Sequence, residues 1–437
     1  MNDTLPNRNS YLRDLAYRSI LELSTDEGIN ASSKDEVYGC IFGRDSAITI
    51  LKILRAVQSD STLNLLDICR KALLTLVSLQ GKEFHIDTGE QPGKFIHEFR
   101  KDPKQLERFL KSDTPWFIHS EGILKNYDSI DSTPLTLIAI YKYYQITKDR
   151  LFLESVLPSV EEGLNWIISY GDMDKDLFVE YDFPAIRKFG GLRVQSWTDS
   201  VESIADVNGN MPEYPIAPIE AQSYTWLALM LWGDFFTLSH PEFASKIYSQ
   251  AGKLKTRFNK EFILRDIGLF YGAQALDGRN KQIKTVTGNP MLCLWAAYIN
   301  GNQVECILDK KYINDFVQRA FMADLFVSDA GIRTMSSEAA TFNPNKDSYH
   351  NGSFWPVLNG MVIEGLENFG FFAQARLLKE ATLIPITFFN CPIEVYIKNE
   401  DGFCEYLSTT GQTSCKYQAW SAAALLDCLS VKNGSLL

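Results

Sequence analysis

Nothing in this 437-residue chain divides it into parts. There is no Pro-rich or Gly/Ser-rich linker and no run of like charge. Length alone would allow two or three domains, so the missing boundaries point to one large domain over residues 1–437. No apolar run reaches the roughly 18 residues of a membrane-spanning helix. The opening stretch MNDTLPNRNSYLRDLAYRS is polar, without an apolar signal core or a small-residue cleavage site. Cysteine is sparse, at eight residues, and none lies in a CxxC pair, so a zinc knuckle or dithiol redox motif is unsupported. Cys404 and Cys415 could bridge a loop, but reduced thiols in a cytoplasmic protein are the plainer expectation. Positive charge is also short. Lys and Arg number 43 against 54 Asp and Glu, for a net charge of -11, which argues against nucleic acid or an anionic membrane as partner.

What the chain does have is helical periodicity. Ala47, Ile50, Leu51 and Leu54 follow the i, i+3, i+4, i+7 rule, as do Leu137, Ile140, Tyr141 and Tyr144, and again Tyr224, Leu227, Ala228 and Leu231. The pattern predicts helices near 10–24, 45–58, 63–79, 133–147, 152–170, 218–238, 243–262, 290–300, 310–322, 355–369, 372–389 and 416–429. Thr133 before Pro134 reads as an N-cap with proline at the first helical position, and Asn289–Pro290 and Ser353 near Pro356 read similarly. Strand signals are few. The best are near DLFVEYD and GLRVQSW, either of which could be a small hairpin beside the main body. Long loops separate the helices, roughly 80–132, 171–217, 263–289 and 323–354. Loops this long are uncommon unless functional or disordered, and these are too rich in aromatic residues to be disordered. The fold class expected is therefore all-α, with paired helices and ordered loops that build one site.

The loops concentrate polar and aromatic groups. FGRDS places Arg44 and Asp45 at the start of a helix, where Asp45 could cap the helix or the pair could bind vicinal hydroxyls. KFIHEFR brings His97, Glu98 and Arg100 together, with a plain Glu98–Arg100 salt bridge as the simpler reading. A lone histidine here, without a second at ligand spacing, argues against a metal site. NYDSIDSTP carries Asp131, and YHNGSFWP carries His350, Asn351 and Trp355. QSWTDSVES sets Trp197, Asp199 and Glu202 on one connection, and Asp199 could cap a helix with Glu202 completing a capping box. The last long connection holds Glu394 and Glu405. Aromatic faces beside carboxylates and amides suit a sugar, whose C–H faces stack and whose hydroxyls take polar partners. Glycoside hydrolysis needs two carboxyl groups, one to protonate the leaving oxygen and one to activate water or attack.

The ordered set FGRDSAI, GKFIHEFR, YDSIDSTPL, QSWTDSVESI, PIAPIEAQSYTWLAL, TGNPMLCLW, GIRTMSSEAATFNP, YHNGSFWP and KYQAWSAAALL resembles the amylo-α-1,6-glucosidase part of glycogen-debranching enzymes. More distantly it resembles glucoamylases, trehalases and neutral invertases. The resemblance runs from about residue 38 to 426. It implies an (α/α)6 toroid with long catalytic loops, and inverting hydrolysis of an α-linked glucoside, with no cofactor, no metal and no covalent intermediate. It places the general acid on Asp199. It places the general base on Glu394, with Glu405 as the alternative. Arg44 and Asp45 match the pair that holds the sugar. His97, Glu98, Arg100, Asp131, Trp197, Glu220, Gln222, His350, Asn351 and Trp355 match pocket positions. Trp197 is expected to offer a stacking face, and Glu202 to raise the pKa of Asp199 by its charge. Inversion sets the two carboxyl groups roughly 6.5–9.5 Å apart. The family's domain usually carries extra modules that this chain does not show, and its tail is also like that of neutral invertases. A small glycoside is therefore the alternative substrate, and a non-catalytic carbohydrate-binding toroid the alternative of another class.

Overall fold

The structure, a computed structural model, describes residues 5–430. Thirteen helices run through the described residues: α1 Leu5–Leu23, α2 Gly43–Ser59, α3 Leu66–Ser78, α4 Pro103–Leu110, α5 Ser132–Thr147, α6 Arg150–Ser169 and α7 Ile219–Phe236, then α8 Pro241–Glu261, α9 Leu292–Trp295, α10 Lys310–Ala320, α11 Pro356–Asn368, α12 Phe372–Phe389 and α13 Ala419–Leu429. Six of them pack in a cycle. α2 lies on α5, α5 on α7, α7 on α9, α9 on α11, α11 on α13, and α13 lies back on α2. α1, α3, α6, α8 and α12 pack outside these, each against a partner in the cycle.

The division follows from composition. α7 is apolar nearly all round and almost wholly buried, as a helix enclosed by others must be. α8 buries only the stripe Ala244, Ile247, Ala251, Leu254 and Phe258 and turns its Lys and Glu residues to water. One hydrophobic cluster extends from Leu12 to Leu429 and so joins both layers. Close helix contact depends on small residues: a Cβ on Gly360 of α11 would stand 2.6 Å from the Ala424 Cβ of α13. No described helix is long and apolar enough to cross a membrane. All eight cysteines are free thiols, so Cys404 and Cys415 form no bridge.

Four local expectations fail, each for a visible reason. Thr133 does not cap α5. Its hydroxyl accepts the Phe95 N–H at 2.9 Å, and the helix begins one residue earlier. Neither DLFVEYD nor GLRVQSW forms the small hairpin that either could have been. Asp172 and Asp176 instead accept the backbone N–H groups of Asp176, Leu177 and Phe178, which coils that segment into turns. The helix expected over 290–300 stops at Trp295 because Gly301, at a φ of 57°, turns a small hairpin pairing Tyr298–Asn300 with Gln303–Glu305. Conversely, α4 forms inside the first long loop, capped by Asp102 through the Lys104 N–H at 2.9 Å.

A charged cluster crosses the α2–α11–α13 junction. The fully buried Lys52 ammonium donates to the Gly360 carbonyl at 2.9 Å and to Glu364 at 2.5 Å, and lies 3.2 Å from Asp427. Arg55 grips Asp427 at 2.7 Å and Glu367 at 2.6 Å. Burial alone would lower the Lys52 pKa, but Glu364 and Asp427 more than offset it and the net shift is upward. Removing one partner leaves buried charge behind. Asp427→Ala is expected to cost about 3 kcal/mol or more in urea unfolding. Glu380→Ala, which breaks the exposed pair with Arg8, is expected to change stability by less than about 1 kcal/mol.

Candidate active site

The site starts at the first turn of α2. The Gly43 N–H donates to the His97 carbonyl at 2.8 Å, and any Cβ at Gly43 would collide with the Ile96 carbonyl. Glycine thus lets the turn press against the strand segment beside it. That contact carries Arg44 inward, where it is only 3% exposed. Asp45 lies in the same turn and does not cap the helix, since Phe42 occupies the N-cap position.

Arg44 is the hub. Its Nη1 donates to the Ser196 carbonyl at 2.8 Å and lies 3.4 Å from both Asp131 oxygens. Its Nη2 donates to Asp199 Oδ2 at 2.7 Å, and its Nε stands 3.8 Å from Asp45. Burial weakens any buried cation, but the three carboxylates outweigh that and hold Arg44 protonated. Asp199 is pushed up to about 6, first by burial and then by Asp131, against the pull of Arg44. The carboxylate that assists is therefore Asp131. Glu202 is exposed, and the Ser200–Ile204 turn has no side-chain cap, so neither a charge effect of Glu202 nor a capping role for Asp199 describes this loop. Asp45 rises to about 7 by burial and by Asp199 and Asp131. Gln418 approaches it at 3.4 Å.

Glu394 stands on the loop after α12 and is 2% exposed. Its Oε1 accepts the Tyr349 hydroxyl at 2.6 Å, and its Oε2 accepts the Cys415 N–H at 3.0 Å. Its pKa rises to about 7, from burial first and from Asp45 among its neighbours, with the two hydrogen bonds opposing. Glu394 and Asp199 both act on the Tyr38 phenol, raising it with burial, so the two carboxyl groups share this surrounding. Glu405 is placed differently. It lies on a surface strand, its side chain 37% exposed and 3.5 Å from Lys416.

Trp197, His350 and Trp355 form one wall. His350 stacks on Trp355 at 4.7 Å, and Trp197 meets both edge-on. Trp197 is 4% exposed and its Nε1 donates to Asn289 at 3.2 Å, so it supplies packing and dryness more than an open stacking face. His350 Nδ1 lies 3.0 Å from Ser200 Oγ, and burial lowers its pKa well below the usual histidine range. Asn351 is spent on the Thr341 carbonyl and Ser348.

Other expected pocket residues brace the walls. Glu98 and Arg100 form a buried ion pair, and Arg100 also donates to the Val37 carbonyl at 2.9 Å and stacks over Phe42 and Phe109. Gln222 is fully used by the Val179 amide and the Pro218 carbonyl. His97 packs edge-on against Phe42, and burial drives its pKa down. Glu220 is wholly buried, and burial raises it to about 8 against weak contacts from its own backbone N–H and Ser196. Three residues of the site were not singled out by sequence: Tyr38, Tyr349 and Gln418. Tyr349 opens the dense YHNGSFWP stretch and Gln418 lies in KYQAW, so both had a signal, whereas Tyr38 had none. Asp172, Asp174 and Asp176, on the loop after α6, have ligand oxygens within 4.8 Å of one another and could hold a metal ion. Asp172 and Asp176 bond to nearby backbone N–H groups and to Arg257, and none of these partners belongs to the Arg44 cluster.

The amylo-alpha-1,6-glucosidase family profile matches residues 99–427. No curated protein matches the sequence. Among solved structures, the chain is similar to the GH63 mannosylglycerate hydrolase of Thermus thermophilus in complex with Tris and D-glycerate. The TM-score is 0.66 at 14% identity, covering 95% of this chain and 99% of that one. The same hydrolase in complex with glucose gives 0.64 at 15% identity with the same coverage. A wild-type glycosidase gives 0.57 at 12% identity, covering 96% of each chain. At such identities the likeness is one of fold.

Glu220 gives a stability test. In the unfolded chain a glutamate ionises near 4.3, and in the fold this one ionises at about 8. Between those values the folded state binds the extra proton, so its contribution falls as pH rises through the window. Glu220→Gln is expected to flatten the loss of stability between about pH 5 and 8, as read from urea midpoints at the two ends.

Proposed function

Because this chain belongs to the amylo-alpha-1,6-glucosidase family and is a glycoside hydrolase, we propose that it releases glucose from an α-linked glucoside with inversion. The observation that carries this reading is the pair of differently anchored carboxyl groups, Glu394 buried and Asp199 partly exposed. Asp199 hangs on Arg44, and Glu394 hangs on Tyr349 and the Cys415 amide. In this reading Asp199 gives its proton to the glycosidic oxygen as the bond to the anomeric carbon breaks. Glu394 takes a proton from the water that attacks that carbon from the other ring face. Its burial and anchoring favour Glu394 over the half-exposed, Lys416-paired Glu405 as base. Asp45 and Arg44 then hold hydroxyls of the sugar being released. The buried, unpartnered atoms His350 Nε2, Trp420 Nε1 and Gln418 Oε1 are further polar contacts suited to a polyhydroxylated ligand. The cycle of six inner helices is the (α/α)6 toroid of this reading, in one catalytic domain, and the free thiols fit a cytoplasmic enzyme.

The proton order has a kinetic consequence. The reacting form needs Asp199 protonated and Glu394 ionised, yet Asp199 ionises at about 6 and Glu394 at about 7. In the singly protonated enzyme the proton therefore sits mostly on Glu394. The reacting form is therefore the smaller part of that population. The expected kcat/KM profile is a bell with limbs near 6 and 7 that belong to the pair as a whole.

Family membership favours a debranching-type α-1,6-glucoside. A small glycoside such as a glucosylglycerate is the second reading, favoured by the fold likeness spanning 99% of a mannosylglycerate hydrolase. Turnover of isomaltose, panose, maltose, limit dextrin, trehalose, sucrose and glucosylglycerate, followed by NMR, separates them. Release of β-glucose from an α-linked member is the expected result, with Asp199→Asn and Glu394→Gln each slower by about 10²–10⁴-fold. Release of α-glucose first, or activity that survives Asp199→Asn, would overturn the mechanism.

A further inference from the structure

The hydroxyl of Tyr349 has one proton, and its 2.6 Å contact commits that proton to Glu394 Oε1. The Tyr38 hydroxyl lies 3.0 Å from the Tyr349 oxygen, so Tyr38 is left to donate to it. Gln412 Nε2 stands 3.3 Å behind Tyr38. A line of polar hydrogens thus runs from Gln412 through Tyr38 and Tyr349 to the carboxylate. Its members come from different loops. The loops are held in register: Trp355 Nε1 donates to the Tyr349 carbonyl at 3.0 Å, and Glu36 accepts the N–H groups of Ser33 at 3.0 Å and Lys416 at 2.6 Å.

We propose that Tyr349 is a positioning residue for Glu394, and that the Tyr38–Tyr349 relay holds this carboxyl group ready to act as the base. The inference rests on the reading of Glu394 given above. The groups facing Glu394 are Asp45 from α2, Tyr38, Tyr349, Tyr406, and Cys415 with its amide, and Asp199 acts with Glu394 on the two tyrosines Tyr38 and Tyr349. Burial and Asp45 press Glu394 towards its neutral form. Against them stand the hydrogen bonds from Tyr349 and from Cys415, through its amide and its side chain, and the Tyr349 hydroxyl at 2.6 Å gives the larger of the two side-chain contributions. A hydrogen bond to a charged acceptor in a dry setting favours the ionised form, and the relay behind it polarises the phenol further.

The test is the pH profile of kcat/KM for Tyr349→Phe, on whichever panel glycoside the wild type turns over. Loss of the hydroxyl raises the ionisation of Glu394 by about one to two pH units. Because Glu394 carries the upper limb, that limb moves up by that amount. The maximum falls about 10- to 100-fold, because the reacting form becomes correspondingly rarer. Tyr38→Phe moves the same limb in the same direction by less. A simply structural Tyr349 would lower the rate with both limbs in place, and that outcome overturns the proposal, as does movement of the lower limb alone. Thermal unfolding of both variants checks that each is folded. Glu394→Gln separates the two failures. If it abolishes turnover while the Tyr349→Phe profile is unmoved, the relay is wrong and the base assignment stands. If it retains turnover, the base assignment itself is wrong.

Discussion

One guanidinium serves three carboxyl groups, of which Asp45 and Asp131 are buried and Asp199 is partly exposed. Arg44 is 2.7 Å from Asp199, 3.4 Å from Asp131 and 3.8 Å from Asp45, and it is 3% exposed. If all three were ionised, the cluster would carry two uncompensated negative charges away from water. Burial does not tolerate that, so the cluster retains protons that a solvated site would release. The raised ionisation of Asp45 and Asp199 follows directly, and that of Glu394 follows in part through Asp45. A site short of positive charge is a site that stores protons near neutrality, and proton storage is what acid–base cleavage of a glycosidic bond requires.

The fold supplies the dryness. The inner helices include α2, α5, α7 and α13, and the site residues come from their first turns or from the segments just ahead of them. Arg44 and Asp45 start α2, Asp131 precedes α5, Glu220 starts α7, and Gln418 precedes α13. The loops then close over these turns with Asp199, Tyr349 and Glu394. Rigid helix ends position the ions, and the loops bring Asp199 and Glu394. The buried Lys52 cluster sits further along α2, where it ties α2 to α11 and α13. The same helix that carries Arg44 is thus fixed along its length.

How much of this was legible depends on what kind of signal each part leaves. Amphipathic and fully apolar helices announce themselves by period, so the long helices stand close to where periodicity places them. Breaks are harder. The apolar run MLCLWAAYIN reads as a helix until the Asn-Gly-Asn turn at 300–302 is given its weight as a hairpin signal. The alternating stretch DLFVEYD reads as a strand, but the aspartates before it take the backbone N–H groups that a strand would need. In the site, charged and aromatic residues in dense motifs were visible. Their division of labour was not. Gln222 looks like a ligand contact by resemblance, yet its polar atoms are met by the protein itself, and Glu98–Arg100 is the plain salt bridge that the sequence offered as its simpler reading. Tyr38 left no sequence signal, because its role exists only once distant loops meet.

What most needs testing is where the free enzyme keeps its shared proton: mainly on Glu394, with Asp199 held towards its ionised form by Arg44. Infrared difference spectroscopy at about pH 6.5, midway between the two ionisations, reads this directly. It records the protonated-carboxyl C=O band of the wild type against Glu394→Gln and Asp199→Asn. The predicted result is that Glu394→Gln removes more of that band than Asp199→Asn does, over a background from Asp45 and Glu220 that both variants keep. A larger loss in Asp199→Asn than in Glu394→Gln would contradict it.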